Sequence, residues 1–275
     1  MKPEDVTFVA EVVRKRSVLV LTSDKAYLVE SRLGPLARQR ELPSVEGLIQ
    51  TLRTSKDEKL LWAVTDALTT NETFFFRDKT PFDQFRDEVL PALAPKRAAG
   101  PLRVWCAACS TGQEPYSLAM LMEDLKAKHP ALKLDICASD ISDRVLEKAK
   151  AGIYTQFEVQ RGLPITHLVK YFDKADENWQ VKAHLRQLIR WRQFNLLEDM
   201  RVLGRFDVVY CRNVLIYFDP ETKRKVLENI AAVMADDGYL FLGAAETVMG
   251  LTDAFQPAPG HRGLYARNPS FKKAA

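Results

Sequence analysis

The 275-residue sequence carries 47% apolar and 28% charged residues with a net charge of +4. That balance suits a soluble globular chain rather than a disordered or membrane-embedded one, and it is too weak for whole-molecule polyanion binding. No apolar run approaches the roughly 20 residues of a membrane span, and the N-terminal segment lacks the basic, apolar and small-residue succession of a secretion signal. A cytosolic protein is expected. The length exceeds the common domain size of about 100 to 150 residues, so one large domain with a smaller one is the natural arrangement.

Residues 1 to about 70 show helical periodicity only, with apolar stripes at Val6, Val9 and Val13, at Tyr27, Leu28, Leu33 and Leu36, and at Leu60, Leu61, Val64 and Leu68. A small helical domain over residues 1–77 is expected. Thr80-Pro81 opens a further helix with Phe82, Phe85, Val89 and Leu93 on one face, and Pro91, Pro95, Gly100 and Pro101 break its pattern. Residues 78–101 read as a linker helix and loop.

From Leu102 the period changes. Strands are expected at 102–106, 132–138, 187–194, 206–211 and 239–243, and helices at 115–127, 142–151 and 220–235. The last helix has an Asp219 cap, Pro220 in its first turn, Val226, Leu227, Ile230 and Met234 inward, and Gly238 after its end. Such alternation predicts an α/β domain over 102–275, a doubly wound, mostly parallel sheet covered on both faces. The interval 152–186, with Gly152, Gly162, Pro164 and a polar stretch from Asp173 to Asn178, interrupts it and suggests an inserted subdomain.

The loop Ala107-Ala108-Cys109-Ser110-Thr111-Gly112, between the first strand and a helix, has only small side chains. Backbone can approach a bulky ligand there, and the following helix N-terminus favours electron-rich atoms. In open parallel sheets ligands gather beyond the carboxyl ends of the strands. Those ends carry Glu114, Asp140, Asn195-Leu196 and Arg212-Asn213. Asp140 can accept from ribose hydroxyls, Asn213 offers both donor and acceptor to a zwitterion, and Glu114 can meet an ammonium. Each also has a plainer reading: Asp140 as the cap of the helix near Ser142, Glu114 as a helix-terminus charge, Asn195 and Asn213 as turn formers.

Other chemistries lack their residues. No G-x-G-x-x-G can be written, no P-loop lysine is present, and His129, His167, His184 and His261 are scattered without a zinc or triad spacing. Cys106-x-x-Cys109 with Cys137 and Cys211 could be read as a zinc site, but no second doublet exists, and each cysteine falls where a buried strand or its exit takes a small apolar group.

Five ordered segments, Thr70-Asn71-Glu72-Thr73-Phe74-Phe75-Phe76-Arg77, Ala108 to Ser117, Ala138-Ser139-Asp140-Ile141, Asn195-Leu196-Leu197 and Cys211-Arg212-Asn213-Val214-Leu215-Ile216-Tyr217-Phe218, together resemble the CheR-type chemotaxis receptor methyltransferases over nearly the whole chain. The resemblance implies a class I S-adenosylmethionine-dependent methyltransferase that esterifies glutamate side chains on the cytoplasmic helices of chemoreceptors. It places Asn71, Thr73, Arg77 and Glu114 at the cofactor's methionine end and Asp140 on its ribose, with Asn195, Leu196, Asn213 and Val214 completing the pocket. Residues of about 160–190 look like the family's small β-subdomain, which in some members grips a receptor tail. Ala244 and Ala245 stand where a His-Ser pair is common before Glu246, and Cys106 and Cys109 where Ala or Ser is typical.

A glutamate carboxylate is ionised at neutral pH, so its methylation requires no general base. Arg77 is the expected carboxylate clamp and Tyr217 a second donor, against plainer readings as a salt-bridged junction residue and a packed aromatic. Phe74, Phe75 and Phe76 read as packing. Between residues 14 and 40 seven basic residues (Arg14, Lys15, Arg16, Lys25, Arg32, Arg38, Arg40) face two acidic ones, which suits docking to an acidic receptor helix. A same-fold methyltransferase of nucleic acid or small molecules, and a non-catalytic cofactor sensor, are the competing readings.

Overall fold

The computed structural model describes residues 1–17, 26–55, 57–69 and 71–272, with the side chains of residues 15–17 outside that description. Two compact units emerge, Met1–Thr70 with Tyr217–Thr222, and Asn71–Ile216 with Lys223–Ala275.

The first unit holds helices α1 (Pro3–Ser17), α2 (Ala26–Gln39), α3 (Val45–Thr54) and α4 (Glu58–Leu68). Each of the last two begins where a short polar side chain takes orphan amides: Ser44 accepts from Gly47, and Asp57 from Lys59 and Leu60. Val6, Val9, Val13, Leu33, Leu48, Ile49, Leu60 and Val64 fill the core. Of the expected α2 stripe, Leu33 is in the core and Leu36 packs against it, while one member is misplaced. Tyr27 is exposed, and Val29, Leu33 and Ala37, four residues apart, are the buried set.

The second unit opens with α5 (Thr80–Gln84), a π turn (Phe85–Val89), α6 (Leu90–Leu93) and a 3-10 turn (Ala94–Arg97). The helix expected here continues through Pro91 rather than breaking at it. Leu90 N–H donates five residues back to Phe85, and this widened turn adjoins the residue that has no amide to give. Phe82, Phe85, Val89 and Leu93 are buried in the core of the sheet unit.

The sheet elements follow: β1 (Leu102–Ala107), α7 (Gln113–Leu125), β2 (Leu134–Asp140), α8 (Asp143–Ala151), β3 (Ile153–Tyr154), α9 (Gln156–Gln160), α10 (Ile165–Tyr171), β4 (Phe172–Ala175), β5 (Asn178–Val181), α11 (Ala183–Arg186), β6 (Ile189–Gln193), β7 (Phe206–Cys211), α12 (Pro220–Ala232), β8 (Met234–Leu242), β9 (Phe255–Pro257) and β10 (Leu264–Arg267). The main sheet has the order β6-β2-β1-β7-β8-β10-β9. Its first five strands are parallel, and β10 runs antiparallel to both β8 and β9. The chain reverses direction across the sheet between β1 and β7, the place where such sheets bind ligands. Register aligns the outlets, with Ala107 beside Ser139 and Cys211, and Cys211 beside Leu242. A separate three-stranded antiparallel sheet, β3-β5-β4, occupies the interval where the alternation lapses.

Most expected boundaries shift by one or two residues, and the largest difference follows the last helix. The helix assigned to 220–235 stops at Ala232, and Met234 and Gly238 lie inside β8. Asp236-Asp237-Gly238 reads as a loop, yet the strand carries it as a bulge opposite Asp207. Arg267 binds Asp236 and Arg97 binds Asp237, and a Cβ on Gly238 would sit 2.8 Å from the Asp207 carbonyl. Among the described residues no helix is long and apolar enough to cross a membrane.

The Arg97 hydrogen bond, opposed by partial burial, holds the Asp237 carboxyl below its ordinary value. A depressed folded value means stability that is present above the ordinary aspartate value of about 4 and is lost as pH falls through the folded one. Asp237→Asn is therefore expected to lower the melting temperature at neutral pH and to flatten its dependence on pH below about 4, read by thermal melts across that range.

Candidate active site

At the outlet of β1 the chain turns through Ala108 (φ 59°), Ser110 (φ 50°) and Gly112 (φ 92°) before α7. Left-handed backbone at non-glycine residues costs energy and is kept where surrounding contacts impose it. Here Asp140, the last residue of β2, supplies the contact: its Oδ2 accepts from Ser110 N–H at 2.8 Å and its Oδ1 from Ser142 N–H at 3.0 Å. The helix cap itself is Ser142, whose hydroxyl accepts from Val145. Asp140 thus joins the loop to the start of α8 and is buried. Gly112 has no substitute, since a Cβ there would lie 2.9 Å from that of Ala149 and 3.0 Å from Trp191.

Asn71 and Arg77 sit on the segment facing this loop. The Asn71 carbonyl accepts from the Ser110 hydroxyl at 2.8 Å, and Phe76 N–H donates to the Ser117 hydroxyl at 2.9 Å. Thr73 is half-buried between them, and Thr70 lies outside the described residues. Arg77 donates to the Glu72 carbonyl at 2.8 Å and stands over the Phe74 ring. Among the described residues no carboxylate lies within 4 Å of its guanidinium. Phe75 is fully buried, edge-on to Tyr154 and Phe172, and Phe76 packs on Phe82 and His167.

Arg212, directly after β7, joins these pieces, and the sequence reading passed over it. Its side chain is 2% exposed, and it bonds Glu114 Oε2 at 2.8 Å, Asp78 Oδ2 at 2.7 Å and the Arg77 carbonyl at 2.9 Å. Burial lifts the Glu114 carboxyl above the usual carboxylate range, while Arg212 and then Arg77 pull it back. Among the described residues no donor reaches Glu114 Oε1, and Arg212 Nε is buried without a partner. The available signal was a charged residue directly after six residues that read as a buried strand.

Glu246 is the second unforeseen residue. Its carboxylate accepts from Gly243, Asn213, Val214 and Ile216 amides at 2.7, 2.8, 2.9 and 3.2 Å. These bonds hold Asn213 at φ 59° and fix the Asn213-Val214 loop. At the outlet of β6 Asn195 Oδ1 accepts from Leu197 N–H at 3.1 Å and Leu196 is buried, so the turn-forming reading of Asn195 is also realised. Tyr217 belongs to the other unit, where it packs half-buried against the helical core. The four cysteines are free and buried on or beside β1, β2 and β7, and burial raises each thiol's pKa.

These residues suit a cationic, nucleoside-bearing ligand. Arg212 takes two carboxylates, Glu114 and Asp78, while Asp140 and Glu246 accept from backbone amides, so carboxylates outnumber guanidiniums around the strand outlets. The small-residue cradle lets backbone approach the ligand, and the sheet order with its reversed final hairpin is that of class I S-adenosylmethionine-dependent methyltransferases.

Comparison with known proteins agrees. The CheR methyltransferase SAM binding domain matches residues 71–264 and the CheR all-alpha domain residues 4–69, and the chain belongs to this family. It is 43% identical to chemotaxis protein methyltransferase 1 of Vibrio cholerae over 86% of this chain and 87% of that one. It is likewise 43% identical to chemotaxis protein methyltransferase 1 of Pseudomonas aeruginosa, over 90% and 92%, and 33% identical to the chemotaxis protein methyltransferase of Borreliella burgdorferi, over 84% and 83%. The protein is an S-adenosylmethionine-dependent methyltransferase of chemotaxis.

Replacing Glu246 by Gln would set a side-chain amide donor against backbone donors and leave about two amides unsatisfied. A loss of about 3 kcal/mol is expected in urea unfolding; an unchanged midpoint would show that the loop holds itself.

Proposed function

We propose that the chain transfers the methyl group of S-adenosylmethionine to glutamate side-chain carboxylates on the cytoplasmic helices of chemoreceptors, forming glutamyl methyl esters. The observation that carries this reading is the contrast between two arginines. Arg212 is saturated by Glu114 and Asp78, whereas Arg77 has its position fixed by the Glu72 carbonyl and the Phe74 ring and meets no carboxylate within the described residues. An arginine so placed suits an incoming carboxylate.

When bound, the cofactor supplies an electrophilic methyl on a sulfonium, so that the carboxylate oxygen bonds to carbon as the carbon–sulfur bond breaks and its electron pair leaves on sulfur. The acceptor is already an anion, and no base is needed. Arg77 acts by orienting the acceptor; a tight bidentate pair would stabilise the ground state and draw charge from the nucleophile. Exclusion of water helps, because solvent would otherwise stabilise both separated charges. Glu114 Oε1 takes the cofactor's ammonium, Asp140 its ribose, and Asn71, Thr73, Asn195, Leu196, Asn213 and Val214 line the remainder.

The receptor's acidic helix docks on the basic stretch of the helical unit. Arg38 and Arg40 are exposed there, Arg14 is exposed with Asp219 at 3.9 Å, and Arg32 is turned inward onto the Leu68 and Thr69 carbonyls. Lys25 lies outside the described residues, as do the side chains of Lys15 and Arg16. The modified helices and the enzyme share the cytoplasm.

Incubation with tritiated cofactor and receptor cytoplasmic fragments is expected to give base-volatile label; base-stable label would point to N-methylation. Arg77→Ala is expected to slow methyl transfer by about 100-fold, or roughly 2.7 kcal/mol, while calorimetric affinity for S-adenosylhomocysteine changes far less. Equal losses would make Arg77 a cofactor ligand. Because burial raises the Glu114 pKa, protonation begins above the ordinary glutamate value of about 4.3. Cofactor affinity should fall as pH drops through that raised value, and Glu114→Gln should bind more weakly with the pH dependence gone.

A further inference from the structure

The outlet of β8 holds a cavity that the cofactor does not use in this reading. It encloses about 400 Å³ and is lined by Gly243, Ala244, Ala245, Glu246, Thr247, Arg262, Gly263 and Tyr265. Two of its residues are charged, and they are not equivalent. Glu246 is buried and its carboxylate is consumed by four backbone amides. Arg262 is exposed, with one donor on the Ala244 carbonyl at 3.1 Å, and among the described residues no carboxylate lies within 4 Å of it. The exposed charge in the cavity is therefore the Arg262 guanidinium, while the negative charge of Glu246 is buried and turned into the amides.

A second donor is at hand. Thr247 Oγ1 accepts from Met249 N–H at 3.1 Å and from the Tyr265 hydroxyl at 3.4 Å, which leaves its own O–H to donate. The backbone at Arg262 is held, since the Gly263 carbonyl accepts from Leu242 in β8 at 2.9 Å and the Arg262 carbonyl accepts from Gln84 at 3.4 Å. The cavity also abuts the cofactor loop. A Cβ on Gly243 would lie 2.7 Å from Asn213 Nδ2, and Glu246 ties the two outlets together.

We infer that this cavity receives a second carboxylate of the protein substrate, an acidic side chain neighbouring the glutamate that is methylated, held by Arg262 with the Thr247 hydroxyl. The inference rests on the proposed glutamate methylation and adds a substrate subsite to it. A methyl-accepting helix rich in glutamate presents acidic groups on adjacent turns, and a partly open guanidinium selects among them by charge. Arg262 touches substrate without touching the reacting atoms, so it sets substrate affinity and register.

The test uses the full chain with Arg262 unchanged, Arg262→Lys, Arg262→Ala and Arg262→Glu. Receptor fragments keep one reactive glutamate, and its acidic neighbours are either retained or changed to glutamine. With acidic neighbours, Arg262→Glu is expected to raise KM about tenfold at low salt, with kcat within about twofold and S-adenosylhomocysteine affinity unchanged; Arg262→Lys should stay near the parent. With neutral neighbours the difference between parent and Arg262→Glu should vanish. Equal KM values for all four proteins, a difference that persists on the neutral fragment, or a parallel loss of S-adenosylhomocysteine affinity would each overturn the inference. Failure of glutamate methylation itself looks different, with no base-volatile label from the parent on any fragment. Fragment binding by fluorescence anisotropy still reads the subsite in that event, and unchanged binding by Arg262→Glu would reject it.

Discussion

A guanidinium removed from water has to be paired, and Arg212 is the pairing on which the site depends. At 2% exposure it satisfies Glu114 at the start of α7, Asp78 and the Arg77 carbonyl, so two segments far apart in sequence meet at one cation after β7. Removing one member of such a group leaves a buried charge uncompensated, which is far costlier than exchanging the whole set for apolar side chains. The same pairing explains the division of labour between arginines. Arg212 holds the Glu114 and Asp78 carboxylates at hydrogen-bond distance, and among the described residues none lies within 4 Å of the Arg77 guanidinium.

Glu246 does for the backbone what Arg212 does for the side chains. Four amides converging on one carboxylate hold two adjacent loops, one of them with Asn213 in the left-handed region. Asp140 repeats the device on a smaller scale with Ser110 and Ser142. In each case an anion organises amide donors at strand outlets, where the sheet no longer supplies partners. The strained turns at Ala108, Ser110 and Asn213 are kept because these carboxylates over-determine them.

The alternation of patterns from Leu102 onward and the helical periodicity before it were legible, as were the outlets bearing Glu114, Asp140, Asn195 and Asn213. Two boundary details were not. Asp236-Asp237-Gly238 has the composition of a turn, and its place in β8 follows from Arg97, Arg267 and Asp207, which lie elsewhere in the chain. Within the α2 stripe Tyr27 was misplaced because an aromatic there fits an apolar helical spacing as well as Val29 does, and only packing against the other helices decides which is inside.

Local chemistry in the sequence determined the element types, the order of the strand outlets and the family, because periodicity, small-residue loops and ordered motifs are properties of neighbouring residues. The tertiary structure alone decided which polar groups are consumed and which remain available. As letters, Arg212 and Glu246 showed a charge and no partner, and Arg262 did not stand out from the other arginines. Burial and long-range partners tie up Arg212 and Glu246 and leave Arg77 and Arg262 with no carboxylate within 4 Å among the described residues, since the cost of desolvating a charge depends on what the fold places beside it.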